Sequence, residues 1–232
     1  MTDRKFELKE TYLSKFRFPY YWETSLLFIF IITVFSNIYW GHIGELSLPL
    51  AGSYHEVFVE KQYWKAWTTT LIHADMDHVL SNCSMLLFWG ALSTGHYGPY
   101  FYPLISFLIN GLITLFVISF HEAHIIVLGA SGLVYFLGGH WITLYIFIDK
   151  KISLPKRIFK GIGVGLVLFS PSSMAQNISY LSHYLGLLGG IIFGFVHYYS
   201  RNKSFQEKEK WIETFEDDTQ DEDDLNKDNL FH

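Results

Sequence analysis

Apolar residues in this chain gather into six runs, roughly 22–43, 79–92, 100–120, 125–148, 158–169 and 178–199. A helix needs about 20 apolar residues to cross the hydrocarbon core of a bilayer, and the first, third, fourth and sixth runs reach that length. The runs 79–92 and 158–169 are short, and 158–169 also carries Gly161, Gly163 and Gly165. Polar turns buried inside a bundle, or tilt against a locally thinned bilayer, would complete them. The pattern predicts an all-α membrane protein with six transmembrane helices. Six crossings put both termini on one side, and basic residues identify that side. Arg4, Lys5, Lys9, Lys15 and Arg17 precede span one; Lys150, Lys151, Lys156, Arg157 and Lys160 lie around the turn between spans four and five; Arg201 and Lys203 follow span six. All three clusters fall on one face, which is predicted to be cytoplasmic. The first run starts behind five basic residues and lacks a small-residue cleavage site, so no cleavable signal peptide is expected. The predicted layout is a cytoplasmic segment at 1–21, a six-span domain at 22–200 and a cytoplasmic tail at 201–232.

Composition sharpens this picture. Only 17% of residues are charged and 19% are aromatic, against about a quarter charged in soluble domains. Eleven of the 22 acids lie in 205–232, so this end is predicted to be a solvated acidic tail outside the folded body. A single cysteine, Cys83, excludes a disulfide scaffold and reads as a small buried residue. A net charge of −5 without a basic stripe speaks against nucleic acid as a partner.

Polar residues within spans are costly and therefore functional candidates. His73, His78 and Asn82 form one cluster; His78 and Asn82 are four apart and share a helix face. Gly129, Ser131 and Gly132 form a second, and Ser182 and His183, followed by Gly186, Gly190 and Gly194, a third. In the six-span topology His78, Asn82, Ser131 and His183 all lie at a similar shallow depth below the outer face. Ser131, Tyr135 and Gly138 share a face of span four, and His183, Gly186 and Gly190 share a face of span six. The glycine series lets backbones approach closely, so these two faces are expected to meet and to bring Ser131 to His183. A serine becomes a nucleophile when a base within hydrogen-bond reach takes its proton, and histidine suits that task. Attack on an amide creates an oxyanion; the Asn82 amide, a His78 ring nitrogen and the Ser131 backbone N–H are the candidate donors. Spans four and six hold no Asp or Glu, which leaves Tyr135, one turn below Ser131, to orient His183.

Other intramembrane chemistries lack their residues. The zinc-protease pattern His-Glu-x-x-His is absent; His121-Glu122-Ala123-His124 has the wrong spacing. No span contains the two aspartates of an aspartyl protease. His140 is a candidate haem ligand, but lies deeper than His183 with no axial partner evident at its depth. No cofactor or metal is implied.

Together these motifs resemble the rhomboid intramembrane serine proteases over roughly residues 60–195. His73, His78 and Asn82 match the family's His-x-x-x-x-His-x-x-x-Asn pattern; Gly129, Ser131 and Gly132 match Gly-x-Ser-Gly; Ser182, His183, Gly186 and Gly190 match its small residue–His–x-x-Gly-x-x-x-Gly pattern. The resemblance implies a six-helix rhomboid bundle with Ser131 and His183 as catalytic dyad. It implies an oxyanion hole of His78, Asn82 and the Ser131 backbone, Tyr135 packed on His183, and His73 bonding within the first loop. Trp64-Lys65 stands where the family often has Trp-Arg, and lysine lacks the planar donor fork of arginine. The 170–177 loop is expected to cap the site, gating water and substrate. The implied activity is hydrolysis of a peptide bond in or near the transmembrane segment of a membrane-protein substrate. The implied location is the bilayer of a bacterial inner membrane, with the active site towards the outer face. A catalytically silent binder or chaperone of membrane proteins is the alternative; it has no need to keep Ser131 and His183 together. A channel or transporter is disfavoured by the absence of a charged pathway or a visible inverted repeat.

Overall fold

The structure, a computed structural model, describes residues 4–41, 49–169 and 179–215. In chain order the elements are β1 (Arg4–Glu10), α1 (Tyr21–Tyr39), α2 (Lys65–Thr68), α3 (Met76–Tyr97), α4 (Ser106–Ser119), α5 (Ser131–Ile148), α6 (Leu154–Phe169), α7 (Tyr180–Gln206) and β2 (Lys210–Phe215). Among the described residues, four helical stretches are long and apolar enough to cross a membrane: Tyr21–Tyr39, Tyr100–Ser119, Ser131–Ile148 and Tyr180–Gln206. α3 has the length, at 22 residues, but is diluted by Asp77, His78, Asn82 and His96. α6 has only 16 residues, about 24 Å of helix.

α5 is the central helix. Leu133, Phe136, Leu137 and Leu144 are fully buried, and α3, α4, α6 and α7 all pack on it. Its closest neighbour is α7, because glycines remove the side chains that would hold the two backbones apart. A Cβ on Gly186 would lie 2.4 Å from the Gly132 carbonyl oxygen, and one on Gly190 would lie 2.1 Å from that of Phe136. The contacting ridge of α5 is therefore one position round from the expected one. Gly132, Phe136 and Thr143 meet the α7 glycines, whereas Gly138 faces the Phe169 ring of α6. Ser131 and Tyr135 border this seam.

The first loop is pinned across the start of α5. Val127 N–H donates to Gly52 O (2.9 Å) and His55 N–H to Ala123 O (3.0 Å). Lys65 resolves the Trp64-Lys65 question. Its buried ammonium donates to Glu56 Oε1 at 2.7 Å, while Glu56 Oε2 accepts from the Ser53 N–H and hydroxyl (3.0 and 3.2 Å). One carboxylate thus gathers three donors, one of them the lysine that stands at the arginine position of the pattern. Burial pushes the Glu56 carboxyl up, but the Lys65 and Ser53 bonds outweigh it and hold it below the usual carboxylate range. A group depressed in the folded state adds stability above its unfolded pKa and loses it as pH falls through the folded value. Protection of the first loop against proteolysis should therefore fall on acidification below about pH 4, and Glu56→Gln should remove that step. Lys65→Met should cost roughly 2 kcal/mol in unfolding free energy, less than the ~3–5 of a fully buried pair because Glu56 is partly exposed.

The chain ends correct one expectation. α7 runs past residue 200 to Gln206, and residues 210–215 form a strand rather than the start of a free tail. β2 pairs antiparallel with β1, setting Phe6 opposite Glu213 and Leu8 opposite Trp211. Phe205 is buried against Tyr12 and Tyr198, and Lys150 bonds Glu209 at 2.8 Å. Alternating acids hid the strand, but cross-strand pairing and the buried Leu8 and Phe205 hold it to the body. Residues 216–232 and the expected cap at 170–177 lie outside the described residues.

Candidate active site

The backbone entering α5 is held at two successive residues. Gly129 N–H donates to Thr69 O (2.9 Å), and Ala130 N–H donates to His73 Nε2 (3.2 Å). Gly129 has φ +108°, and a Cβ there would lie 2.7 Å from the His78 ring. Both the backbone angle and the space require glycine. Ser131 then opens α5, so its N–H belongs to the first turn, where donors have no helical acceptor. Oriented donors at a helix start favour developing negative charge.

Among the described residues, the hydrogen-bond partners of His73 lie outside the first loop. Its Nε2 accepts from Ala130, so in the neutral ring Nδ1 carries the proton and faces Ser36 Oγ of α1 at 3.3 Å. The Trp40 indole donates to its carbonyl (2.8 Å). His73 therefore ties α1 to the turn ahead of Ser131. Nothing in the spacing of Ser36 or Trp40 marked them as its partners.

Asp75 caps α3 by accepting from the His78 N–H at 2.8 Å. One turn on, Asn82 is buried, and its Nδ2 has no partner among the described residues. The His78 ring lies edge-on to His73 with centroids 4.9 Å apart. The structure thus gathers His73, His78 and Gly129 around the entrance to Ser131.

On the other side, Ser179 caps α7 by accepting from the Ser182 N–H, and its hydroxyl is 3.3 Å from His121 Nε2. His183 follows in the first turn and is buried. Its ring stacks on Tyr135 at 4.2 Å and 13°. The opposite face of Tyr135 stacks on Phe169 at 4.3 Å, and its hydroxyl donates to the Phe169 carbonyl (3.2 Å). Phe169, the last residue of α6, is a support that helical spacing could not reveal. Gly186 packs on Gly132 one turn below His183, which seats His183 and Ser131 at one end of the α5–α7 seam.

His140 has a partner after all. His197 of α7 places Nδ1 2.9 Å from His140 Nε2, a hydrogen-bond distance with no room for an ion between the rings. His197 lies beyond the glycine series, so only the packed helices show the pairing.

A family model described as the rhomboid domain matches residues 60–200. The chain belongs to the rhomboid family. A similar protein, rhomboid protease GlpG of Haemophilus influenzae, is 26% identical over 153 residues, covering 63% of this chain and 76% of the relative. As a rhomboid with several apolar helices, the chain is an integral, multi-pass membrane protein, and its family is one of intramembrane proteases acting on transmembrane proteins within the bilayer.

Proposed function

We propose that this rhomboid is a serine endopeptidase in which Ser131 is the nucleophile and His183 its general base. The observation that carries the reading is the stacked His183–Tyr135 pair, seated on a glycine-lined seam that ends at Ser131. His183 takes the Ser131 hydroxyl proton as Oγ attacks the substrate carbonyl. The oxyanion is met by the Ser131 N–H, His78 and the Asn82 amide, whose Nδ2 is otherwise unpartnered in the described structure. His183 then protonates the leaving amine, and water hydrolyses the acyl-enzyme by the reverse proton path. Tyr135, held by Phe169, takes the orienting place that a carboxylate fills in a triad.

The same reading places the domain in six spans, with α3 and α6 as the two short ones. The pairing of β1 with β2 supports it, since an even number of crossings returns both chain ends to one side. We assign that side to the cytoplasm, following the basic clusters, and the site to the outer half of a bacterial inner membrane. A transmembrane helix hides its carbonyls in its own hydrogen bonds, so the substrate must unwind locally; helix-weakening residues with a small side chain before the cut are expected.

Cleavage of a model single-span substrate in proteoliposomes tests this. The cut should fall near the outer end of the substrate helix; a cut near the cytoplasmic end would refute the placement, and binding without cutting would favour the silent-binder reading. Tyr135→Ala should lower kcat about tenfold, the kinetic equivalent of one lost ring stack. Tyr135→Phe, which keeps the ring, should stay within about threefold of wild type.

A further inference from the structure

A cavity of about 610 Å³ runs between α5, α6 and α7. Its outer end is walled by Tyr135, Tyr180 and His183, its inner end by Ile146, Phe147 and Phe195. Fifteen residues of α7 separate Tyr180 from Phe195, so the groove is about 20 Å long. Below Tyr135, Tyr180, His183 and Tyr184 at the outer end, the wall is apolar apart from the Thr143 hydroxyl, which donates to Gly139 O, so an extended peptide lying along it would leave backbone polar groups without partners. A single hydrocarbon chain fits, and the length is comparable to the ~15 Å depth of one leaflet.

The inner mouth is cationic. Arg157, in the first turn of α6, donates from Nη1 to the carbonyl of the groove residue Ile146. Its Nε has no partner among the described residues. Among the described residues no carboxylate pairs with Arg157, whereas Lys150 and Lys151 are paired with Glu209 and Asp149; Lys156 and Lys160, on the same helix, line other hollows. Charge at the mouth thus complements a phosphate at the end of the chain.

We propose that the α5–α6–α7 groove is a binding site for one anionic phospholipid, with an acyl chain lying along the groove and its phosphate held by Arg157. The groove's outer end is walled by His183 and Tyr135, and the phosphate position at Arg157 lies at its opposite end.

The test uses the full chain in proteoliposomes with photoactivatable phospholipids carrying a diazirine in the acyl chain, one set with a phosphatidylglycerol headgroup and one with phosphatidylcholine. Labelled peptides are mapped by mass spectrometry. Phosphatidylglycerol should label groove residues of α6 and α7 at least fivefold more than phosphatidylcholine, and Arg157→Gln should remove that preference. Gly165→Phe, whose Cβ would start 3.6 Å from Ile142, should block groove labelling by both lipids. Gly163→Phe, on the same helix but with nothing within 4 Å of its Cβ, should leave it intact. Equal labelling by the two headgroups, or a preference that survives Arg157→Gln, would overturn the phosphate site. Groove labelling unchanged by Gly165→Phe would overturn the acyl-chain site. Arg157→Gln leaves the helix seams intact, so the headgroup result stands even if Gly165→Phe does not fold.

Discussion

Ser131→Ala should lower kcat/KM for a transmembrane substrate by at least about 10³-fold, and as far as ~10⁶-fold. On the proposed mechanism alanine removes the atom that would form the acyl-enzyme and leaves the proposed oxyanion donors and the substrate path in place. Residual cutting should therefore be near the rate set by binding and the oxyanion hole alone. His183→Ala should cost about as much, and the double variant little more than either, because the proposed nucleophile and base would act as one unit. Additive losses would mean that the two residues act independently. The measurement is initial cleavage rate in proteoliposomes at several substrate densities, with substrate binding followed in parallel. Binding should persist in all three variants, since neither side chain supports the helix seams.

The second large effect is structural. Gly190→Ala would place a methyl group 2.1 Å from the Phe136 carbonyl oxygen and 2.9 Å from the His140 nitrogen. Both neighbours are backbone atoms of a buried helix, so neither can swing aside. α7 must move away from α5, at an expected loss of 3 kcal/mol or more in unfolding free energy. Because α7 carries His183, activity should fall with the separation even where the protein remains folded. Gly163→Ala is the matching control. Its Cβ meets nothing within 4 Å, and alanine is the better helix former by roughly 0.5–1 kcal/mol. Unfolding midpoints of the two variants should shift in opposite directions.

What could be read from the chain alone follows from the range of the interactions. His78 and Asn82, or His183 and Gly186, lie one turn apart, so spacing alone places each pair on one helix face. Gly129 before Ser131 is likewise legible as a turn, although the His78 ring that fills its missing side chain is not. The α5–α7 contact was foreseen from the glycines, but its rotation was off by one residue, since both Gly132 and Ser131 offer a plausible small face. Contacts that depend on that rotation escaped: His197 against His140, and Phe169 behind Tyr135. The partners of His73 escaped for another reason, because Ser36 and Trp40 are ordinary residues until three segments meet. β1 and β2 stand about 200 residues apart, and the acids around β2 resemble a solvated tail when its partner strand is out of view. Lys65 was read against an arginine pattern, and its actual partner, Glu56, lies nine residues upstream.

The central claim is that Ser131 is activated by His183. Covalent labelling with a fluorophosphonate, which reacts with activated serines, tests it most directly in the intact protein within a bilayer. The account predicts one adduct, located by mass spectrometry on Ser131, and its loss in His183→Ala while the protein remains folded. An adduct on another residue, or Ser131 labelled equally fast without His183, would contradict it.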